Sequence, residues 1–163
     1  MITCGIGGCL GAYKMALTGW IIGVMLIAAT VFLHYETMLL VSDRVMPWAQ
    51  RRFRKHRIIT AIVIGMLLLG HIAEIWLFAF AYMAMNDFGS FGTIVGGFDG
   101  SLNSYLTFST VRYTSVGDPL WHPQGALASV SATETLVGLM MIGWSTSFTI
   151  LKMEQLWRDH QHR

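Results

Sequence analysis

Charged side chains are scarce in this sequence, so those set among apolar residues are the first candidates for chemistry. His71 and Glu74 lie three residues apart in Gly70-His-Ile-Ala-Glu-Ile-Trp-Leu-Phe-Ala, a spacing that puts both on one face of a helix. Glu134 stands at the head of another apolar run, Glu134-Thr-Leu-Val-Gly-Leu-Met-Met-Ile-Gly-Trp. Groups of this kind are expensive to place in lipid and mark functional sites by default. Two chemistries fit them. A His–Glu pair that changes charge near neutral pH would make a proton-sensitive gate. The same side chains, bonded across helices, would instead fix packing and oligomer register. Met140 and Met141 read as packing or lining side chains rather than metal ligands. No nucleophile–base set recurs at a workable spacing, so no enzymatic activity and no catalytic residue are expected.

The elements that must position these groups follow from composition. The chain has 163 residues, 54% hydrophobic and 12% charged, against about 25% charged in soluble domains. Mean hydropathy is +0.54. A soluble fold of this size leaves too much surface exposed to hide so many apolar side chains, so the expected solvent is a lipid bilayer. The net charge of +2 gives no reason to expect nucleic acid as a partner. A membrane span takes about 20 mostly apolar residues, and three stretches qualify: 15–41, 58–85 and 126–151. The chain therefore divides into an N-terminal helix with a basic loop (1–57), a central module (58–151) and a tail (152–163). No signal peptide, soluble domain or internal repeat is expected.

Arg44, Arg51, Arg52, Arg54, Lys55 and Arg57 crowd the segment between the first two spans, which places it in the cytoplasm. The N-terminus and 86–125 are then outside and the C-terminal tail inside. His34, Tyr35 and Glu36 read as an interfacial helix end near the cytoplasmic side, and His160 and His162 as a solvated tail rather than a weak metal site. Cys4 and Cys9 form either a disulfide or a pair of inert thiols. A redox anchor holding b-type haem has His34 and His71 as its candidate axial pair. Helix direction speaks against it, because the two histidines should lie at different depths.

Segment 86–125 has a pattern of its own. Glycine-rich turns, Asp87-Phe-Gly-Ser-Phe-Gly and Gly96-Gly-Phe-Asp-Gly-Ser, precede a moderately apolar run from Leu102 to Tyr113. That run is too short to span. Thr114-Ser-Val-Gly-Asp-Pro follows, and Pro119 prevents helix continuation. A short helix followed by extended backbone between two spans is the pattern of a re-entrant pore loop, since non-helical backbone at membrane depth persists only inside protein or around water. An extracellular loop with an interfacial helix has the same pattern.

The sequence around Glu134, continuing to Trp144-Ser-Thr-Ser-Phe, resembles the inner helix of bacterial potassium-channel-like pore proteins. The stretch from Gly70 resembles the outer helix of their three-span branch. Tyr105-Leu-Thr-Phe-Ser-Thr-Val-Arg-Tyr-Thr-Ser-Val-Gly-Asp falls where that family has its pore helix and filter. The resemblance covers about residues 55–158. It implies an all-α membrane protein with three transmembrane helices, a re-entrant pore helix and filter-like loop, and a homotetramer. The modules become an outer helix (58–85), a pore loop (86–125) and an inner helix (126–151). The implied function is transport of monovalent cations, potassium or sodium, with no other cofactor; a non-conducting scaffold is the alternative.

The filter departs from the family pattern Thr-x-Thr-Thr-Val-Gly-Tyr-Gly-Asp. Aligned without a gap, this chain reads Thr110-Val-Arg-Tyr-Thr-Ser-Val-Gly-Asp118, and Thr110, Gly117 and Asp118 match. Deleting two residues instead pairs Thr114-Ser-Val-Gly with Thr-Thr-Val-Gly. The ungapped version keeps Tyr105 at the family's spacing. The resemblance then makes Thr110, Arg112, Tyr113, Thr114, Ser115, Val116, Gly117 and Asp118 the filter or its surroundings. Selectivity in such filters comes from stacked backbone carbonyls, and aiming them inward needs left-handed backbone that glycine adopts freely. Ser115 replaces the first filter glycine and Val116 the bracing tyrosine, so the carbonyl stack is expected to be shortened or lost. Arg112 is expected to prop the loop through a carboxylate or backbone carbonyls rather than face the ion path. Gly138 and Gly143 match the inner helix's hinge and close-packing glycines, and either role suits both.

Overall fold

Three apolar runs become three long helices, each long and apolar enough to cross a membrane: Tyr13–Arg52, His56–Asp87 and Ala126–Arg158. The structure is a computed structural model that describes residues 6–53, 55–87 and 91–161. Cys4 and His162 lie outside these, as do the side chains of Cys9 and His160. In chain order the elements are α1 (Ile6–Leu40), a π turn (Val41–Val45), α2 (Met46–Arg52), α3 (His56–Asp87), β1 (Ile94–Val95), α4 (Leu102–Tyr113), β2 (His122–Pro123) and α5 (Ala126–Gln161). Trp20, Ile21, Val24 and Met25 stand exposed along α1, as lipid-facing side chains do and as water-facing ones rarely do.

The segment read as a basic loop is mostly helix. Pro47 opens α2; it lacks an N–H and its ring would press on the carbonyl four residues back, at Asp43. The helix widens into a π turn at this point, with the Met46 N–H donating to the Val41 carbonyl, and so passes the proline without breaking. Only at Phe53, which is extended, does it stop. The basic side chains Arg44, Arg51, Arg52, Lys55 and Arg57 are exposed around this end.

The chain divides into two compact units, one of 1–29 with 75–139 and the other of 30–74 with 140–163. In the second, Met38, Val41, Val63 and Leu67 form one core cluster, and Met46, Ala49, Ile59 and Leu156 another. Lys152 reaches Ser42 Oγ at 2.9 Å.

In the first unit α1 lies close against the start of α5. A Cβ on Gly19 would stand 2.5 Å from the Ala126 carbonyl oxygen, and one on Gly23 would stand 2.6 Å from Thr133 Oγ1. Small residues permit this approach. The glycine-rich segment before α4 is tied down by a two-stranded antiparallel bridge, Ile94 opposite Pro123 and Val95 opposite His122. Gly96 is required here. Its φ is +104°, and a Cβ would fall 1.7 Å from the Leu120 carbonyl oxygen. Ser101 caps α4 by accepting from the Ser104 N–H, and the Asp99 carboxylate accepts from the Ser101 N–H. Hydrogen bonds from the Ser104 side chain and from Ser101 hold the Asp99 pKa below its usual value.

Candidate functional site

The first unit is organised around α4. Its side chains Tyr105, Phe108, Ser109 and Tyr113 are buried and recur three and four residues apart as one stripe, while Asn103, Thr107 and Thr110 on the other face are exposed. Phe108 meets Tyr82 of α3 edge to face at 5.0 Å. Phe98 joins them, 4.8 Å from Tyr105 and 5.2 Å from Trp121. Farther along, Ser109 Oγ lies 2.8 Å from the Ile75 carbonyl oxygen, and the Tyr113 carbonyl abuts Gly138 of α5. Ile75 is twelve residues from the end of α3 at Asp87, and Gly138 is twelve from the start of α5 at Ala126. At 1.5 Å per residue, the C-terminal end of α4 stands about 18 Å along both helices.

Glu134 is fully buried and ties these three helices together. Tyr82 OH donates to its Oε2 at 2.5 Å, and Ser109 Oγ is 2.5 Å from its Oε1. The sequence singled out Glu134 but gave no sign of Tyr82 or Ser109 as partners, which lie 52 and 25 residues away.

Arg112 bonds backbone. Its Nη2 donates to the Trp121 carbonyl at 3.0 Å, and the guanidinium carbon sits 5.1 Å from the centre of the Phe108 ring, a cation–π distance. Asp118 is engaged with its own turn, accepting from the N–H groups of Leu120 at 2.6 Å and Trp121 at 3.1 Å. Together they hold the return from α4 to β2.

The filter-like residues follow the end of α4. Ser115 has φ +62° and Gly117 φ +71°, so left-handed backbone recurs two residues apart, at the positions of the two glycines in the ungapped family pattern. The serine keeps this conformation despite its Cβ. The turn is also a helix cap: the Thr114, Ser115 and Gly117 N–H groups donate to the Thr110, Arg112 and Val111 carbonyls. Thr110, Thr114 and Ser115 are exposed, Gly117 and Asp118 half-buried, and Val116 is 78% exposed. Left-handed backbone costs a side-chain-bearing residue about 1–2 kcal/mol. Ser115→Gly is therefore expected to raise stability by about 1 kcal/mol, read as a higher thermal midpoint in detergent; a lower midpoint would mean the hydroxyl contributes more than the backbone relief.

The two glycines of α5 singled out in the sequence differ in surroundings. A Cβ on Gly138 would lie 2.3 Å from the Tyr113 carbonyl oxygen, whereas one on Gly143 meets nothing within 4 Å. Gly138 is a close-packing glycine.

The second unit holds the other ionisable cluster. His34 Nδ1 is 2.7 Å from Glu74 Oε1, and His71 Nδ1 is 3.4 Å from Glu74 Oε2. Ser145 Oγ is 3.2 Å from His34 Nε2. His34 and Glu74 are fully buried. The expectation of an interfacial helix end at His34 is thus corrected: α1 continues past it and its ring is interior. The depth separation expected of the two histidines is also corrected, since their ring centres are 5.2 Å apart. They do not form a haem slot, because the Glu74 carboxylate bridges them where a porphyrin would have to sit. The sequence showed His71 and Glu74 sharing a face, but helical period alone cannot bring in a residue 40 positions away. No protein-family model, no curated protein and no solved structure matches this chain.

Proposed function

We propose that this chain is one subunit of a homotetrameric, channel-like membrane pore for monovalent cations, with altered potassium selectivity. The observation that carries the proposal is α4: a helix buried along one face and too short to span, whose C-terminal end stands beside Ile75 and Gly138 and passes into left-handed backbone at Ser115 and Gly117. In this reading α4 is a pore helix, and the partial negative charge at its C-terminus favours a cation beyond it. Thr114, Ser115, Val116 and Gly117 from four subunits line the narrowest region, where carbonyls replace part of the ion's water shell. The exposed Val116 and Leu120 are then covered by neighbouring subunits. Leu136, Leu139 and Met140, all exposed on α5, face the inner cavity or a neighbour. The basic end around Arg44 to Arg57 sits in the cytoplasm of a bacterial cell, with the N-terminus outside and the C-terminus inside.

Purified protein in sealed liposomes, tested with potassium, sodium and chloride gradients, checks this reading. Cation flux with a defined reversal potential is the expected result. Arg112→Ala removes the bond to Trp121 and the stacking on Phe108, and is expected to reduce flux by at least about tenfold, a loop displacement being enough for that by analogy with misplaced site geometry. Unchanged flux and assembly in Arg112→Ala would remove the propping role.

A second reading, a non-conducting scaffold of the same architecture, is favoured by one observation. The Gly117 N–H turns back to the Val111 carbonyl at 2.9 Å, which shortens the extended path a carbonyl stack needs. Absence of flux from assembled tetramers under every gradient would select it.

A further inference from the structure

We infer that His34, His71 and Glu74 form a binding site for a divalent transition-metal ion of zinc type, which fastens α1 to α3. One donor atom from each of the three side chains lies within 4.8 Å of the others. A tetrahedral zinc ion bonds nitrogen and oxygen at about 2.0–2.1 Å, which sets donor atoms about 3.4 Å apart. The 3.4 Å from His71 Nδ1 to Glu74 Oε2 is already that spacing, while the 2.7 Å from His34 Nδ1 to Glu74 Oε1 is a hydrogen-bond distance that opens as an ion replaces the proton between them. Two imidazoles and a carboxylate are a ligand set suited to zinc and to other first-row ions, and leave a fourth position open.

The surroundings suit the same assignment. A metal-bound imidazole ordinarily gives its other ring N–H to an oxygen acceptor. With the ion on His34 Nδ1, the ring proton moves to Nε2, and Ser145 Oγ at 3.2 Å is positioned to accept it. Trp144 covers the outer side of the His34 ring, with ring centres 5.6 Å apart. His71 retains 14% side-chain exposure while Glu74 has none, so the cluster lies at the edge of the helix packing. Electrostatics point the same way: a buried carboxylate among apolar helices needs a positive partner. A proton held between His34 and Glu74 is the competing occupant. The site would also give α1 a task, because it supplies one ligand from α1 to two from α3.

Full-length protein, purified in detergent and stripped with a chelator, would be titrated with Co2+ and back-titrated with Zn2+. The visible d–d bands of Co2+ report the ligand geometry. One Co2+ per chain with tetrahedral-type bands, displaced by one Zn2+, is expected. His71→Ala, at the exposed edge, should weaken Co2+ binding by at least about tenfold, and Ser145→Ala by about tenfold, the usual effect of losing an outer-shell partner. His160→Ala/His162→Ala should bind as wild type. Helicity and elution volume establish that each variant is folded, and Ser145→Ala decides the matter if His71→Ala is not. Folded wild type that gives no d–d bands overturns the site. Binding unchanged in folded His71→Ala and Ser145→Ala overturns it as well.

Discussion

Glu134→Ala is expected to destabilise the protein by about 3 kcal/mol, the sum of two lost bonds and a small cavity, measured as reversible unfolding in mixed micelles. Glu134 is fully buried and both its oxygens are engaged, one by Tyr82 OH and one by Ser109 Oγ, each at 2.5 Å. Alanine takes away the carboxylate that receives the Tyr82 proton, and the loss of a buried donor's partner costs about 1–3 kcal/mol. Interhelical hydrogen bonds in membranes average only about 0.6 kcal/mol and reach about 1.7, which keeps the estimate at the lower end. Glu134→Gln separates geometry from charge. Its carbonyl accepts from Tyr82, and its NH2 donates to Ser109 Oγ while Ser109 donates to the Ile75 carbonyl at 2.8 Å. Glutamine should therefore stay within about 1 kcal/mol of wild type, since every bond is retained. Equal losses for the two variants would mean that charge, not bonding across α3, α4 and α5, is what Glu134 supplies.

The parts of this fold that were legible in the sequence are those set by runs of one kind of side chain. The second and third spans, read at 58–85 and 126–151, are α3 and α5 at His56–Asp87 and Ala126–Gln161, because length and apolarity decide them. The short helix from Leu102 to Tyr113 was visible as an apolar run between a glycine-rich approach and a proline-stopped exit. The basic segment misled, since charge and Pro47 look like a loop, and only the π turn lets helix continue through them. The bridge between Ile94-Val95 and His122-Pro123 was hidden by its shortness and by a proline, which argues against a strand.

Side-chain constellations were less accessible for a different reason. Periodicity places residues on faces but does not say which faces meet. His71 and Glu74 could be paired because they share one helix. His34, Ser145, Tyr82 and Ser109 join their partners only through packing of one helix on another. The filter-like loop lies between these cases. Sequence marked Ser115 as standing in place of a glycine, with the carbonyl stack expected to shorten or be lost, yet Ser115 has left-handed backbone as Gly117 does. That the same residues cap α4 through the Arg112 and Val111 carbonyls follows from the three-dimensional end of the helix and has no sequence signature beyond Gly117.

Gly138→Ala and Gly143→Ala should have effects of opposite sign, although both make the same change in one helix. Alanine in a helix interior is favoured over glycine by about 1 kcal/mol, and at Gly143, with nothing within 4 Å of the added methyl, that gain should appear undiminished. At Gly138 the methyl would fall 2.3 Å from the Tyr113 carbonyl oxygen and 3.0 Å from the Tyr113 carbonyl carbon and Cα. These are backbone atoms, so no rotamer change relieves the clash, and α4 must shift. Overpacking of this kind costs about 1–3 kcal/mol and here opposes the propensity gain of about 1 kcal/mol, for an expected net loss of up to about 2 kcal/mol. The larger consequence is positional. Tyr113 immediately precedes Thr114–Gly117, so a displaced α4 moves the whole filter-like turn. In the channel reading, Gly138→Ala should lower cation flux by about a hundredfold, as a displacement near 1 Å does at other positioned sites, with Gly143→Ala close to wild type. A hinge at Gly138 predicts otherwise: alanine would stiffen α5 and stabilise the protein while changing gating. Unfolding midpoints of the two variants, measured side by side, distinguish the two roles, and a rise at both positions would rule out close packing at Gly138.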